Sequence, residues 1–218
     1  MKLEFLTFAI FALAAVCAYL ISGINPAIIL SKAIYGKDIR TLGSKNPGFT
    51  NFKRNFGMKW AIVVMALDLL KSALPAIAFG IVFDKLWGEW MLGVTFTCLF
   101  SMLGHAFPIW YGFKGGKGFL VCLSAMWAAD WRVGLTATLI MVILLLVTEY
   151  MSLSTTVAML FCPFVIWLVG GEHPEIILSA FSVLFMAWRH KENFVRLAKG
   201  TESKFQLYKT SGKKNKKK

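Results

Sequence analysis

Three short stretches hold most of the residues that could do chemistry. The first reads Gly43-Ser44-Lys45-Asn46-Pro47-Gly48-Phe49-Thr50-Asn51-Phe52-Lys53-Arg54. Its glycines let the backbone turn tightly and offer N–H groups to an anion. Ser44, Asn46, Thr50 and Asn51 can hydrogen-bond phosphate or hydroxyl oxygens, and Arg54 can grip a phosphate through two parallel N–H groups. The second stretch is Gly104-His105-Ala106-Phe107-Pro108, followed by Phe113-Lys114-Gly115-Gly116-Lys117-Gly118. Three glycines interleaved with two lysines read as a phosphate cradle, although the spacing is not that of a Walker A loop. A helix beginning after Lys117 would turn its positive end toward the anion. The third stretch is Arg189-His190-Lys191-Glu192-Asn193, with Arg196, Gly200 and Glu202 following. On a continuing helix, His190, Asn193 and Arg196 share one face, and His190 brings a group that titrates near neutral pH. Singly, each stretch has a plainer reading: a solvated turn, a packed His105, a charged end to the last helix. Together they carry many phosphate donors, few carboxylates and no Ser-His-Asp order, which suits holding two phosphate-bearing groups.

The elements that must position them are membrane helices. Of 218 residues, 57% are hydrophobic and only 16% charged, and the mean hydropathy is +0.64. The apolar residues come in long runs rather than stripes, the signature of lipid burial. Seven spans are expected, roughly 4–24, 59–83, 88–108, 118–130, 132–149, 152–170 and 174–188. Residues 118–148 as one helix would be about 46 Å long, too long for a hydrocarbon core of about 30 Å. Asp130-Trp131-Arg132 divides that run in two; a re-entrant 118–149, giving five spans, keeps the same parity.

With the N-terminus outside, the connections 25–58, 109–117 and 149–151 and the C-terminal tail fall inside. Seven Lys and Arg then cluster around the first inside loop, two in the second and eleven from Arg189 onward, so 20 of 24 lie inside. That is the positive-inside bias of a cytoplasmic face. The three polar stretches therefore share one side of the membrane. The net charge of +13 reads as topology plus a lysine tail drawn to anionic lipid, not as nucleic-acid binding. The fold expected is an all-α integral membrane protein of about seven transmembrane helices, N-terminus outside and C-terminus cytoplasmic. Residues 1–203 form one domain and 204–218 a flexible basic tail. The four cysteines lie within apolar runs and no spacing suggests a metal. Asp68 and Lys71, inside the second span and spaced to pair with each other, are the ionisable exception.

The three stretches, in order, resemble the bacterial acyl-phosphate:glycerol-3-phosphate acyltransferases of the PlsY type. That family carries a G-S-x-N-x-G-x-T-N-x-x-R element, matched by Gly43 to Arg54. It carries a G-H-x-x-P…F-K-G-G-K-G element, matched by Gly104 to Gly118, and a late H-R-E-N-like element, matched by His190 to Asn193. Asp68-Leu69-Leu70-Lys71 is also similar, so the likeness covers nearly the whole chain. The chain departs at Lys45, where the family has Gly, near Pro47 and Phe49, at Ser72, and at Lys191 in place of Arg.

The resemblance implies acyl transfer from acyl phosphate to the sn-1 hydroxyl of glycerol 3-phosphate, giving lysophosphatidic acid and phosphate in the bacterial plasma membrane with the site facing the cytoplasm. It implies no cofactor or metal and a functional link to the enzyme that supplies acyl phosphate. It implies catalytic roles for Ser44, Asn46, Arg54, His190 and Asn193. Substrate binding falls to Gly43, Gly48, Thr50, Asn51, His105, Lys114, Gly115, Gly116, Lys117, Gly118, Glu192 and Arg196. Acyl phosphate is already activated, so the chemistry asks mainly for two dianions held together and a hydroxyl aligned. Three rivals fit less well. A transporter would want more polar residues in the spans, and a bare scaffold would not need three motifs. An acyl-CoA or acyl-carrier-protein enzyme commonly carries H-x-x-x-x-D, and no His here has an Asp five residues on.

Overall fold

The computed structural model describes residues 2–205, with helices, turns and no strand among them. In order these are α1 (Lys2–Gly23), α2 (Pro26–Tyr35), α3 (Phe49–Phe56), α4 (Met58–Trp87), α5 (Trp90–Ala106), α6 (Phe119–Ala129), α7 (Trp131–Thr148), α8 (Met151–Leu160), α9 (Cys162–Leu168), α10 (His173–Arg189) and α11 (Lys191–Ala198). Every apolar run expected to span is helical; the run 152–170 is broken into α8 and α9, with Pro163 in the first turn of the second. Among the described residues, five stretches are long and apolar enough to cross a membrane: Leu3–Tyr35, Met58–Trp87, Trp90–Tyr111, Trp131–Thr148 and Met151–Leu168. The short ones are α10, with 17 residues, and α6, with 11; α6 reaches only about 17 Å. Asp130 makes the expected break, its carboxylate accepting the Arg132 N–H at 2.7 Å to start α7.

The bundle closes around α5, which packs against α1, α4, α6 and α10. Without a hydrophobic drive between helices in lipid, small residues and polar ties do the joining. Gly104 lets α5 touch the backbone of α1, since a Cβ there would overlap the Tyr19 carbonyl. Pro75 has no N–H, which leaves the Lys71 carbonyl one turn earlier without its helical donor. Ser22 Oγ of α1 donates to that carbonyl at 3.0 Å, so the break in α4 becomes a tie between two helices. Ser72 Oγ likewise donates to the Val121 carbonyl at 2.9 Å and pins α6 to α4.

The polar connection 25–58 holds more structure than its composition suggests. Asn25 Oδ1 accepts the Ile28 N–H at 3.0 Å and Pro26 opens α2. α3 buries Asn51 and Phe52 and packs on α4. Asp38 grips the Arg40 guanidinium, which donates to the Tyr111 carbonyl at 3.0 Å and so ties this lobe to the second polar loop. The last helix is broken at the membrane face: α10 ends at Arg189, His190 sits at the joint, and α11 restarts. The expected tail lies outside the described residues except for Lys204 and Phe205.

Candidate active site

All three polar stretches converge on one cavity of about 400 Å3. Ser44, Asn46, Gly48, Thr50, Asn51 and Arg54 line it from the first stretch, His105, Lys117 and Gly118 from the second, and His190, Asn193 and Arg196 from the third. The rest of the wall is largely apolar: Leu69 of α4, Phe119 and Leu123 of α6, and Met141, Leu145 and Leu146 of α7. Gly43, Lys114, Gly115, Gly116 and Glu192 are not in the wall.

Two helices begin at this wall without a side chain to cap them. α3 starts at Gly48 and α6 at Gly118. Their first-turn N–H groups have no intrahelical acceptor, and their dipoles favour an anion. Beside them stand three cations, Arg54, Lys117 and Arg196. Arg54 is exposed and makes no hydrogen bond or ion pair with the described residues.

Lys117 is more constrained. Its Nζ donates to Asn193 Oδ1. Burial first, then the neighbouring Arg196 cation, bring its pKa down to about 8.

His190 Nδ1 lies 2.9 Å from the Met186 carbonyl, which can only accept. Nδ1 therefore carries the proton and Nε2 a lone pair. Burial, reinforced by the Lys117 cation, outweighs the Met186 contact and brings the pKa to about 4, so the ring is neutral near pH 7.

Several expected ligands are also part of the frame of the site. Asn51 Oδ1 accepts from the Ser44 N–H at 3.1 Å and from Asn55 at 3.1 Å, and its Nδ2 donates to the Leu42 carbonyl at 3.0 Å. That side chain is a strut under the loop. Gly43 has φ +52° and lies so close to it that a Cβ would meet Asn51 and Asn55. Of the three glycines in the second stretch, Gly118 reaches the cavity, while Gly115 and Gly116 have their amides taken up within the protein. The Gly115 N–H goes to the Ala106 carbonyl at 3.1 Å and the Gly116 N–H to the His105 carbonyl at 3.0 Å. Their own carbonyls accept from Arg189, at 3.1 Å for Gly116. Both are buried, and a Cβ on Gly116 would overlap the His105 ring. Their smallness lets this segment lie flat against α5, which aims Lys117 into the cavity. Lys114 and Glu192 are exposed and lie outside the wall.

Asp68 and Lys71 pair as their spacing suggested, and the fold brings that pair and further polar groups to the site. Asp68 lines the cavity, 2.9 Å from Lys71 Nζ and 3.9 Å from His105 Nδ1. Lys71 Nζ in turn donates to the Ile24 carbonyl at 2.8 Å, so the Asp68–Lys71 pair also braces the joint between α1 and α2. Ser152 and Thr155 of α8 and Glu202 beyond α11 complete the polar wall. Asn193 is engaged at both ends, its Oδ1 by Lys117 and its Nδ2 by Glu202 at 2.6 Å.

The family described as glycerol-3-phosphate acyltransferase matches residues 12–200. A glycerol-3-phosphate acyltransferase of Agrobacterium fabrum is 39% identical over 197 residues, 90% of this chain and 92% of that protein. One from Aquifex aeolicus is 35% identical over 193 residues, 86% and 95% of the two chains. The fold is similar to a crystal structure of PlsY (YgiH), an integral membrane glycerol 3-phosphate acyltransferase, in its glycerol 3-phosphate form. The TM-score is 0.82 at 31% identity, covering 90% of this chain and 96% of that one. These matches run through all three polar stretches and the helices that carry them. The chain belongs to the glycerol-3-phosphate acyltransferase family of integral membrane proteins.

Proposed function

We propose that this protein moves a fatty acyl group from an acyl phosphate to the sn-1 hydroxyl of glycerol 3-phosphate, releasing lysophosphatidic acid and inorganic phosphate. That is the first acylation of phospholipid synthesis. The observation that carries the reading is one cavity whose wall combines three cations and two uncapped helix N-termini with a largely apolar lining. Such a wall suits two phosphate groups beside an acyl chain. It also accords with the name of the PlsY structure to which the fold is similar.

The reaction needs little nucleophile activation, because phosphate leaves well from a mixed anhydride. The acyl C–O bond to phosphate breaks as the acyl C–O bond to glycerol forms, and phosphate departs with the electron pair. The hydroxyl proton passes to a substrate phosphate, with the lone pair on His190 Nε2 as the second acceptor in reach of the cavity. Proximity supplies the largest part, on the order of 7–11 kcal/mol. Arg54, Lys117 and Arg196 offset the repulsion between the two dianions. Ser44 and Asn46 donate to the oxyanion and the leaving phosphate. Asn193, engaged at both ends, orients the Lys117 ammonium. Transfer is direct, with no acyl-enzyme.

The topology we propose has seven crossings with the N-terminus outside, α6 and α7 forming a short pair of passes. The support is the charge count, 20 of 24 Lys and Arg on one side. It sets the cavity toward the cytoplasm, where soluble glycerol 3-phosphate is at hand.

The test is purified protein in lipid vesicles given acyl phosphate and glycerol 3-phosphate separately and together. Phosphate release that requires both substrates is expected. Release from acyl phosphate alone at the same rate would make the protein a hydrolase instead.

A further inference from the structure

Glu202 is a charged group in the cavity wall to which the reaction above assigns no role. It stands just past α11 on residues 201–205, which fold back across the cavity. The far end of that segment is fastened: the Phe205 N–H donates to the Glu149 carbonyl at 2.6 Å, and its ring lies 3.8 Å from Lys53 Nζ and 6.3 Å from the Phe49 ring. Between these points the Glu202 side chain is only 10% exposed. Its Oε1 accepts from Asn193 Nδ2 at 2.6 Å and from Ser152 Oγ at 3.0 Å, and its Oε2 accepts from Arg196 Nε at 2.7 Å.

These contacts have a direction. An arginine held through Nε keeps both terminal nitrogens for another anion, and Arg196 lines the cavity. An asparagine whose Nδ2 is held by a carboxylate must turn its Oδ1 the other way, and here Oδ1 receives Lys117 Nζ. One carboxylate thus sets the aim of two of the three cavity cations. It does not itself hold a phosphate, which it would repel.

We propose that Glu202 is a positioning residue: it clasps residues 201–205 over the cavity and holds Arg196 directly, and Lys117 through Asn193, in the orientation that receives a substrate phosphate. The inference rests on the reaction proposed above. It also concerns the charge on Lys117. That ammonium is faced by Arg189 of α10, by His190 at the joint, by Glu192 and Arg196 of α11, and by Glu202. Glu202 works against the burial and the Arg196 cation that favour deprotonation.

The experiment compares wild type with Glu202→Gln, full chain in lipid vesicles. Glutamine keeps the size and one acceptor but loses the charge and one oxygen, so it cannot serve Asn193, Ser152 and Arg196 together. The expected result is a KM for glycerol 3-phosphate raised about tenfold, an alkaline limb of kcat/KM moved to lower pH, and a melting temperature close to wild type. A wild-type KM and an unmoved limb in a folded variant would overturn the clasp. A lowered KM would overturn it too, since the carboxylate would then be competing with substrate. If Glu202→Gln fails to accumulate, Glu202→Asp decides, because it keeps the charge and shortens the reach: a raised KM supports the clasp and a wild-type KM refutes it. Inorganic phosphate binding, read as thermal stabilisation, separates the two levels of the argument. A wild type that binds phosphate but does not turn over loses the reaction. The clasp then stands if the variant binds phosphate about tenfold more weakly, and falls if binding is equal.

Discussion

Lys117 carries the sharpest quantitative expectation. Burial, then the Arg196 cation, set its pKa to about 8 rather than 10.5. Its ammonium is therefore present below pH 8 and lost above it. Glycerol 3-phosphate is a dianion across that range, its second pKa being about 6. With the charged form needed for acceptor binding, log kcat/KM for glycerol 3-phosphate is highest near pH 7, is down about twofold at pH 8 and then falls toward a slope of −1. At pH 9 about one-tenth of the free enzyme keeps the ammonium, so kcat/KM is down about tenfold, or ~1.4 kcal/mol. Lys117→Arg keeps its charge throughout. Its plateau is lower, because a guanidinium does not reproduce the contact with Asn193, but its alkaline limb is absent. The assay is initial rates in preformed vesicles at saturating acyl phosphate and low glycerol 3-phosphate, from pH 6.5 to 9.5, with spontaneous hydrolysis subtracted. A wild-type profile flat to pH 9.5, or a limb that persists unchanged in Lys117→Arg, would refute the reasoning.

Three further perturbations follow from the same geometry. Arg54→Ala removes an exposed cation with no internal partner among the described residues, so helical content by circular dichroism should be unchanged while kcat/KM falls roughly 10²–10³-fold; near-normal turnover would remove Arg54 from the site. Gly116→Ala forces a Cβ into the His105 ring, so thermal stability and activity should fall together, with a cost of about 1–3 kcal/mol. A wild-type melting temperature with only a raised KM for glycerol 3-phosphate would return Gly116 to a substrate-binding role. Lys45 has φ +58°, a left-handed conformation that costs an L-residue about 1–2 kcal/mol. Lys45→Gly should therefore raise the melting temperature, and a lowered one would mean that the lysine side chain gives back more than the strain.

Much of the architecture was legible because lipid burial is read from composition alone. Each long apolar run is helical, one of them as two helices, and Asp130 makes the break that its position suggested. The three polar stretches were legible as one site because loop charges put them on one side of the membrane. What stayed hidden depends on the third dimension. Asn51 and Thr50 are equally plausible phosphate donors in sequence; only the fold gives Asn51 to the Ser44 and Leu42 backbone. Gly115 and Gly116 look like a cradle, but their amides pair with the carbonyls at the end of α5. Glu202 and Ser152 lie 50 residues apart and meet only through the return of the last segment. Nor does hydropathy show the helices of 25–58. α3 is short and polar, and its place is set by the Asn51 strut and its packing on α4. The departure at Lys45 has a physical sense once φ is known, since glycine is the residue that this backbone favours.

The central claim is direct acyl transfer between two phosphate-bearing substrates held in one cavity. The measurement closest to it uses acyl phosphate carrying a labelled acyl chain, with products and protein separated after a single turnover. The account predicts one labelled lysophosphatidic acid for each phosphate released and no label on the protein when glycerol 3-phosphate is withheld. Label held covalently, on Ser44 or elsewhere, that chases into lysophosphatidic acid on adding glycerol 3-phosphate would contradict it.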